Sequence, residues 1–166
     1  MSGEDKSFTS PACSAHEVDQ SYMFAPEMPK DELVALLNVL IESERAGAKT
    51  LLAWAREGAP GIDAAFLGEV QRDESRYVAG LTKAVRKLGA EPSAATGRFF
   101  DKAMTMKDWP ARFAFLDKGQ RWVADKVAEM LPKIRDAELR DFLADMHQRH
   151  ELNIARCAEA AQHLSH

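Results

Sequence analysis

Four stretches of the chain repeat apolar residues at intervals of three and four, the period of an α-helix that buries one face. In the first, the stripe is Leu33, Leu37, Leu40, Gly47, Leu51 and Trp54, and Asp31 and Glu32 stand in the first turn, where acids suit the helix dipole. This predicts a helix from about Asp31 to Arg56, broken by Glu57-Gly58-Ala59-Pro60-Gly61. The second stripe, Leu67, Val70, Tyr77, Leu81, Ala84 and Leu88, predicts a helix from about Asp63 to Leu88, with Gly89 as its C-cap. The third, Phe113, Leu116, Val123, Val127 and Met130, starts near the N-cap Asp108, has Pro110 in its first turn and is ended by Pro132. The fourth runs from about Asp136 to Leu164, with Leu139, Leu143, Met146, Ile154, Cys157, Ala161 and Leu164 inward.

Loop lengths set the directions. The first and second helices, and the third and fourth, are joined by a few residues each, so each pair must be antiparallel. The second and third are separated by Ala90 to Trp109. A helix the length of the second spans about 39 Å at 1.5 Å per residue, and a link of that size reaches past it when extended. These two helices are therefore expected to run parallel, joined by one long crossover, with a short helix of its own between Gly97 and Met106. Residues 1–29 show no helical period and read as an extended arm, which leaves residues 30–166 as one all-α, four-helix domain.

Each stripe is interrupted once by a polar residue. Glu44 fills the gap between Leu40 and Gly47, Glu74 that between Val70 and Tyr77, Gln120 that between Leu116 and Val123, and His150 that between Met146 and Ile154. All four positions fall at mid-helix, so in a bundle they converge at one level of the core. Tyr77 and His147 lie one turn away on the same faces. Unpaired, such groups cost several kcal/mol each on burial, and two adjacent carboxylates repel until one takes a proton. A divalent metal ion removes both penalties. A structural network in which Glu74 and His150 bond to each other removes them as well.

The layout and register resemble the ferritin-like superfamily, which includes rubrerythrins and other di-iron carboxylate proteins, over about residues 31–164. Its pattern is a Glu on each of two helices and Glu-x-x-His on each of the other two. Glu44 matches the first Glu. In Glu74-Ser75-Arg76-Tyr77, Tyr77 replaces the His; Gln120 stands where the third helix has Glu; in His147-Gln148-Arg149-His150, His147 replaces the Glu. The resemblance implies an antiparallel ferritin-like bundle whose metal ligands here are Glu44, Glu74, His147 and His150, with Gln120 and Glu151 as further candidates and Tyr77 beside the centre. A set of two His and a carboxylate suits one non-heme iron; manganese and zinc are the other candidates. The expected activity is an iron-dependent oxidoreductase acting on dioxygen or peroxide. The alternative is a metal-free binding or scaffold protein that retains the frame.

Composition narrows the classes. The formal net charge is −4, with matched acids and bases along the helices, so neither nucleic acid nor a membrane surface is an expected partner. The acidic start, Met1-Ser2-Gly3-Glu4-Asp5-Lys6, is not a secretory signal, and two lone cysteines give no disulfide framework, so a cytoplasmic protein is expected. Apolar residues on the outer faces of the first two helices suggest a homodimer. In the arm, Cys13, His16 and Glu17 are residue types that can ligate a metal together, but without a fixed backbone they read first as incidental polar residues of a tail. The chain has no phosphate-binding glycine loop, nucleophile elbow, zincin motif or Cys-x-x-Cys.

Overall fold

The computed structural model describes residues 25–59 and 61–164. Among the described residues five α-helices follow one another: α1 (Lys30–Glu57), α2 (Ala64–Lys87), α3 (Phe99–Thr105), α4 (Trp109–Met130) and α5 (Ala137–Leu164), with a 3₁₀ turn, Leu131–Lys133, between the last two. The described residues contain no strand. The four long helices begin and end within a residue or so of the boundaries expected from the stripes. Asp63 caps α2 by accepting from the Ala65 amide at 2.9 Å, and Asp108 caps α4 by accepting from the Ala111 amide at 3.0 Å.

The long helices form a bundle. α1 packs on α2 and α4 on α5; α2 also meets α5, and α1 meets α4, which closes the ring. α1 and α5 are thus diagonal to one another, as are α2 and α4. The core is split into two apolar clusters along the bundle. One joins Leu37, Leu40 and Ile41 of α1 with Leu81 and Val85 of α2, Val127 and Met130 of α4, and Leu143 of α5. The other joins Leu51 and Trp54 with Leu67, Val70, Phe113, Leu116 and Cys157. The early half of α1 therefore shares a level with the late halves of α2 and α4 and the early half of α5. This makes α1 parallel to α5, and α2 parallel to α4, as the loop lengths require.

The crossover follows α1 from one end of the bundle to the other. Asn38 accepts from the Ser93 amide at 2.8 Å, the Gly97 amide donates to the Glu42 carbonyl at 3.1 Å, and Lys49 donates to Thr96 at 2.9 Å. α3 then sets Ala103 into the second cluster. At its far end Arg112, buried at the start of α4, pairs with Glu57 at 2.7 Å and donates to the Met106 carbonyl at 3.0 Å. Its guanidinium also lies over the rings of Trp54 and Trp109. No helix among the described residues is long and apolar enough to cross a membrane. The Cys13, His16 and Glu17 cluster lies outside the described residues.

Candidate functional site

Between the two apolar clusters lies a layer of buried polar side chains: Glu44 from α1, Glu74 from α2, Gln120 from α4, and His150 and Asn153 from α5. Each interrupts an otherwise apolar stripe. The four mid-helix positions expected to meet do meet, and they bond across the diagonals of the bundle. His150 Nε2 lies 3.1 Å from Glu44 Oε1, linking α5 to α1. Gln120 Nε2 donates to Glu74 Oε1 at 2.6 Å, linking α4 to α2. Neither diagonal pair of helices is in backbone contact, so these side chains are what spans the centre.

Proton positions follow from the partners. His150 Nδ1 faces the Met146 carbonyl at 2.9 Å, and an imidazole nitrogen facing a carbonyl carries hydrogen. The other nitrogen faces a carboxylate oxygen, so a second proton is needed between Nε2 and Glu44. Burial by itself would lower the His150 pKa, but the charge and hydrogen bond of Glu44, with the Met146 carbonyl, raise it above its ordinary value. Glu74 is held well above the ordinary carboxylate range, first by burial and then by the charge of Glu44, with the Gln120 amide only partly offsetting them. Both causes favour its protonated form. With protons on Glu74, on Nδ1 and between Nε2 and Glu44, the layer carries three, two more than two carboxylates and a neutral imidazole would.

Its unpaired atoms share one chemical character. Among the described residues, the buried side-chain atoms without a partner are Glu44 Oε2, Glu74 Oε2, Gln120 Oε1, Asn153 Oδ1 and, away from the layer, Trp54 Nε1. Apart from the indole, all are oxygens in or beside the layer. Glu74 Oε2 lies against Gly47, where a Cβ would stand 2.0 Å from it, so only glycine leaves room for this carboxyl. A cavity of about 290 Å³ opens beside the layer between α1 and α4; Glu44, Glu74 and Gln120 line it, facing Phe99, Phe115 and Trp122.

The other expected ligands stand elsewhere. His147 is partly exposed, with Nε2 3.9 Å from Glu151 Oε1 on the outer face of α5. The buried face of α5 centres on Met146, His150, Asn153 and Cys157, and a residue one step from Met146 is turned by about 100° out of it. The pair of imidazoles expected at the centre is therefore not assembled. Tyr77 is buried with its ring centroid 5.7 Å from that of His150, and its hydroxyl donates to Asp145 Oδ2 at 3.0 Å; burial and that carboxylate raise its pKa. Asn153, which the stripes did not single out, donates to Asp73 at 3.3 Å and extends the layer towards α2. Its signal was its place three residues after His150 on the same face. Cys157 is buried and its thiol is pushed up to about 12, which makes it inert.

A family model described as a domain of unknown function (DUF6306) matches residues 31–159, which takes in α2 and α4 whole, most of α1 and α5, and every residue of the layer. No curated protein and no solved structure matches the chain.

Proposed function

We propose that this chain, which belongs to the DUF6306 family, is a metal-binding protein of ferritin-like layout that takes up one divalent ion at the polar layer in exchange for two protons. The observation that carries this reading is the set of unpaired atoms: Glu44 Oε2, Glu74 Oε2 and Gln120 Oε1, three buried oxygens from three helices with no hydrogen-bond partner among the described residues. A divalent cation would give all three a partner at once. Two carboxylates, one neutral imidazole and a divalent ion have the same net charge as the doubly protonated layer, so the exchange leaves no charge uncompensated in the core. The Nδ1 bond from His150 to the Met146 carbonyl is also the kind that orients a ligating imidazole.

The donors suit one ion and do not suit a pair. A two-iron carboxylate centre draws on four carboxylates, and the layer has two. Among the described residues, no three His, Cys, Asp or Glu side chains stand together as an ion-holding group. Holding an ion therefore requires Gln120 Oε1 as a donor or a turn of the Glu74 side chain away from Gln120. A bound ion with open positions would supply Lewis-acid or redox chemistry. The diagonal pairing and the long crossover support the ferritin-like layout.

A second reading rests on the bonds already present. Each of Glu44 and Glu74 has one oxygen satisfied without an ion, which is how a metal-free structural network looks. Elemental analysis of chain grown with added iron and manganese separates the two. We expect near one ion per chain in the wild type and in His147→Ala, and loss of the ion in Glu44→Ala and His150→Ala. A metal-free wild type, with all variants folded, would leave the structural network as the account.

A further inference from the structure

A second cavity, of about 570 Å³, lies at the other end of the first apolar cluster, far along the bundle from the layer. It opens between α2 and α5, and the segment of the chain entering α1 forms one edge. Its floor is apolar, made by Leu33, Ala84, Leu88, Ile134, Leu139 and Phe142. Its rim is charged and unbalanced: five of its lining residues are Lys or Arg, and three are Asp or Glu. Much of the acidic charge is already engaged. Glu138 pairs with both Lys83 and Lys87, at 4.0 and 2.7 Å, and Asp136 accepts from the Leu139 amide at 2.8 Å as the cap of α5.

The remaining cations have no carboxylate partner among the described residues. Among the described residues Arg135 donates to the backbone carbonyls of Pro132 and Ala25, and no ion pair is seen for Lys30 or Lys133. An open apolar pocket with a surplus of positive charge at its rim is complementary to a molecule with a hydrocarbon tail and one negative head. The volume lies within the range of about 300–1,000 Å³ that small-molecule sites occupy.

We propose that this cavity binds a free, single-chain anionic amphiphile, a long-chain carboxylate, with its tail on the Leu88, Leu139 and Phe142 floor and its head among Lys30, Lys133 and Arg135. The concave floor favours a monomer over a membrane, because a lipid surface would meet only the rim. This proposal is independent of the metal reading, since no residue of the layer lines the cavity.

The test titrates the full chain with dodecanoate below its micelle concentration, following displacement of 1-anilinonaphthalene-8-sulfonate. The expected result is one saturable site, weakened by at least about tenfold in the Lys30→Glu, Lys133→Glu double variant and by added salt. Dodecyltrimethylammonium should not displace the dye. Circular dichroism melting confirms that the variant is folded. Equal displacement by the cationic surfactant, or unchanged affinity in the charge-reversed variant, overturns the proposal. So does binding seen only with vesicles of anionic phospholipid. Absence of binding by the full chain overturns it too, and makes the chain's own residues 1–24 the next occupant to test.

Discussion

Gly47 is where the Glu74 carboxyl meets α1, and the fit leaves no room for a methyl group: an added Cβ would stand 2.0 Å from Oε2. Gly47→Ala should therefore displace Glu74 from Gln120 and destabilise the protein by about 1–3 kcal/mol, in spite of the better helix propensity of alanine. Urea unfolding measures it, and a variant as stable as the wild type would show that the Glu74 side chain sits elsewhere. The pH dependence belongs to the same residues. Glu74 and His150 both bind their protons more tightly in the folded chain than in the unfolded one. The Glu74 contribution is complete below its ordinary value of 4.5 and is lost as pH rises towards the raised one; the His150 contribution is complete below 6.5 and is lost as pH rises through its folded pKa. The melting temperature of metal-free protein should fall as pH rises from below 4.5, and go on falling as it passes 6.5. Glu74→Gln removes one of the two contributions, so its decline should be shallower. A wild-type melting temperature that climbs over this range would contradict the assignment of the protons.

At the scale of the helices, the crossover is fixed at its far end by one side chain. Arg112 joins the end of α1, the end of α3 and the start of α4 through Glu57, the Met106 carbonyl, Trp54 and Trp109. Glu57 is half exposed and regains water when its partner is removed, so Arg112→Ala costs less than breaking a fully buried pair. We expect a loss of about 2 kcal/mol, from the guanidinium hydrogen bonds and the ring contacts. Hydrogen exchange should show faster opening of α3 than of α2; uniform exchange would place the anchor elsewhere. The helices themselves were legible because their stripes are long and their ends carry punctuation: Asp63, Asp108, Gly89 and Pro132 each stand at a boundary. The residues that meet at the centre were legible for the same reason, since Glu44, Glu74, Gln120 and His150 sit where the period demands an apolar side chain. What could not be read was the rotation of α5. His147 and Asn153 both lie three residues from His150, on opposite sides, and the period alone treats them alike. Packing against α2 tilts the buried face towards Asn153 and leaves His147 to Glu151. Arg112 was equally hidden, because its burial depends on the approach of two tryptophans from different helices.

For the whole molecule, the polar layer divides the core into two apolar halves and holds the diagonals together. Such a layer is a poor source of stability compared with apolar packing of the same volume. On the proposed function, its place in the molecule reflects what it would exchange. In that proposal two protons leave as one divalent ion enters. Calorimetric titration of metal-free chain with manganese(II) or cobalt(II) near neutral pH, repeated in buffers of different ionisation enthalpy, measures ion and proton stoichiometry together. One ion per chain is expected, with release of close to two protons, both lost in His150→Ala and both kept in His147→Ala. Binding without proton release, or no binding to a folded chain, would contradict it.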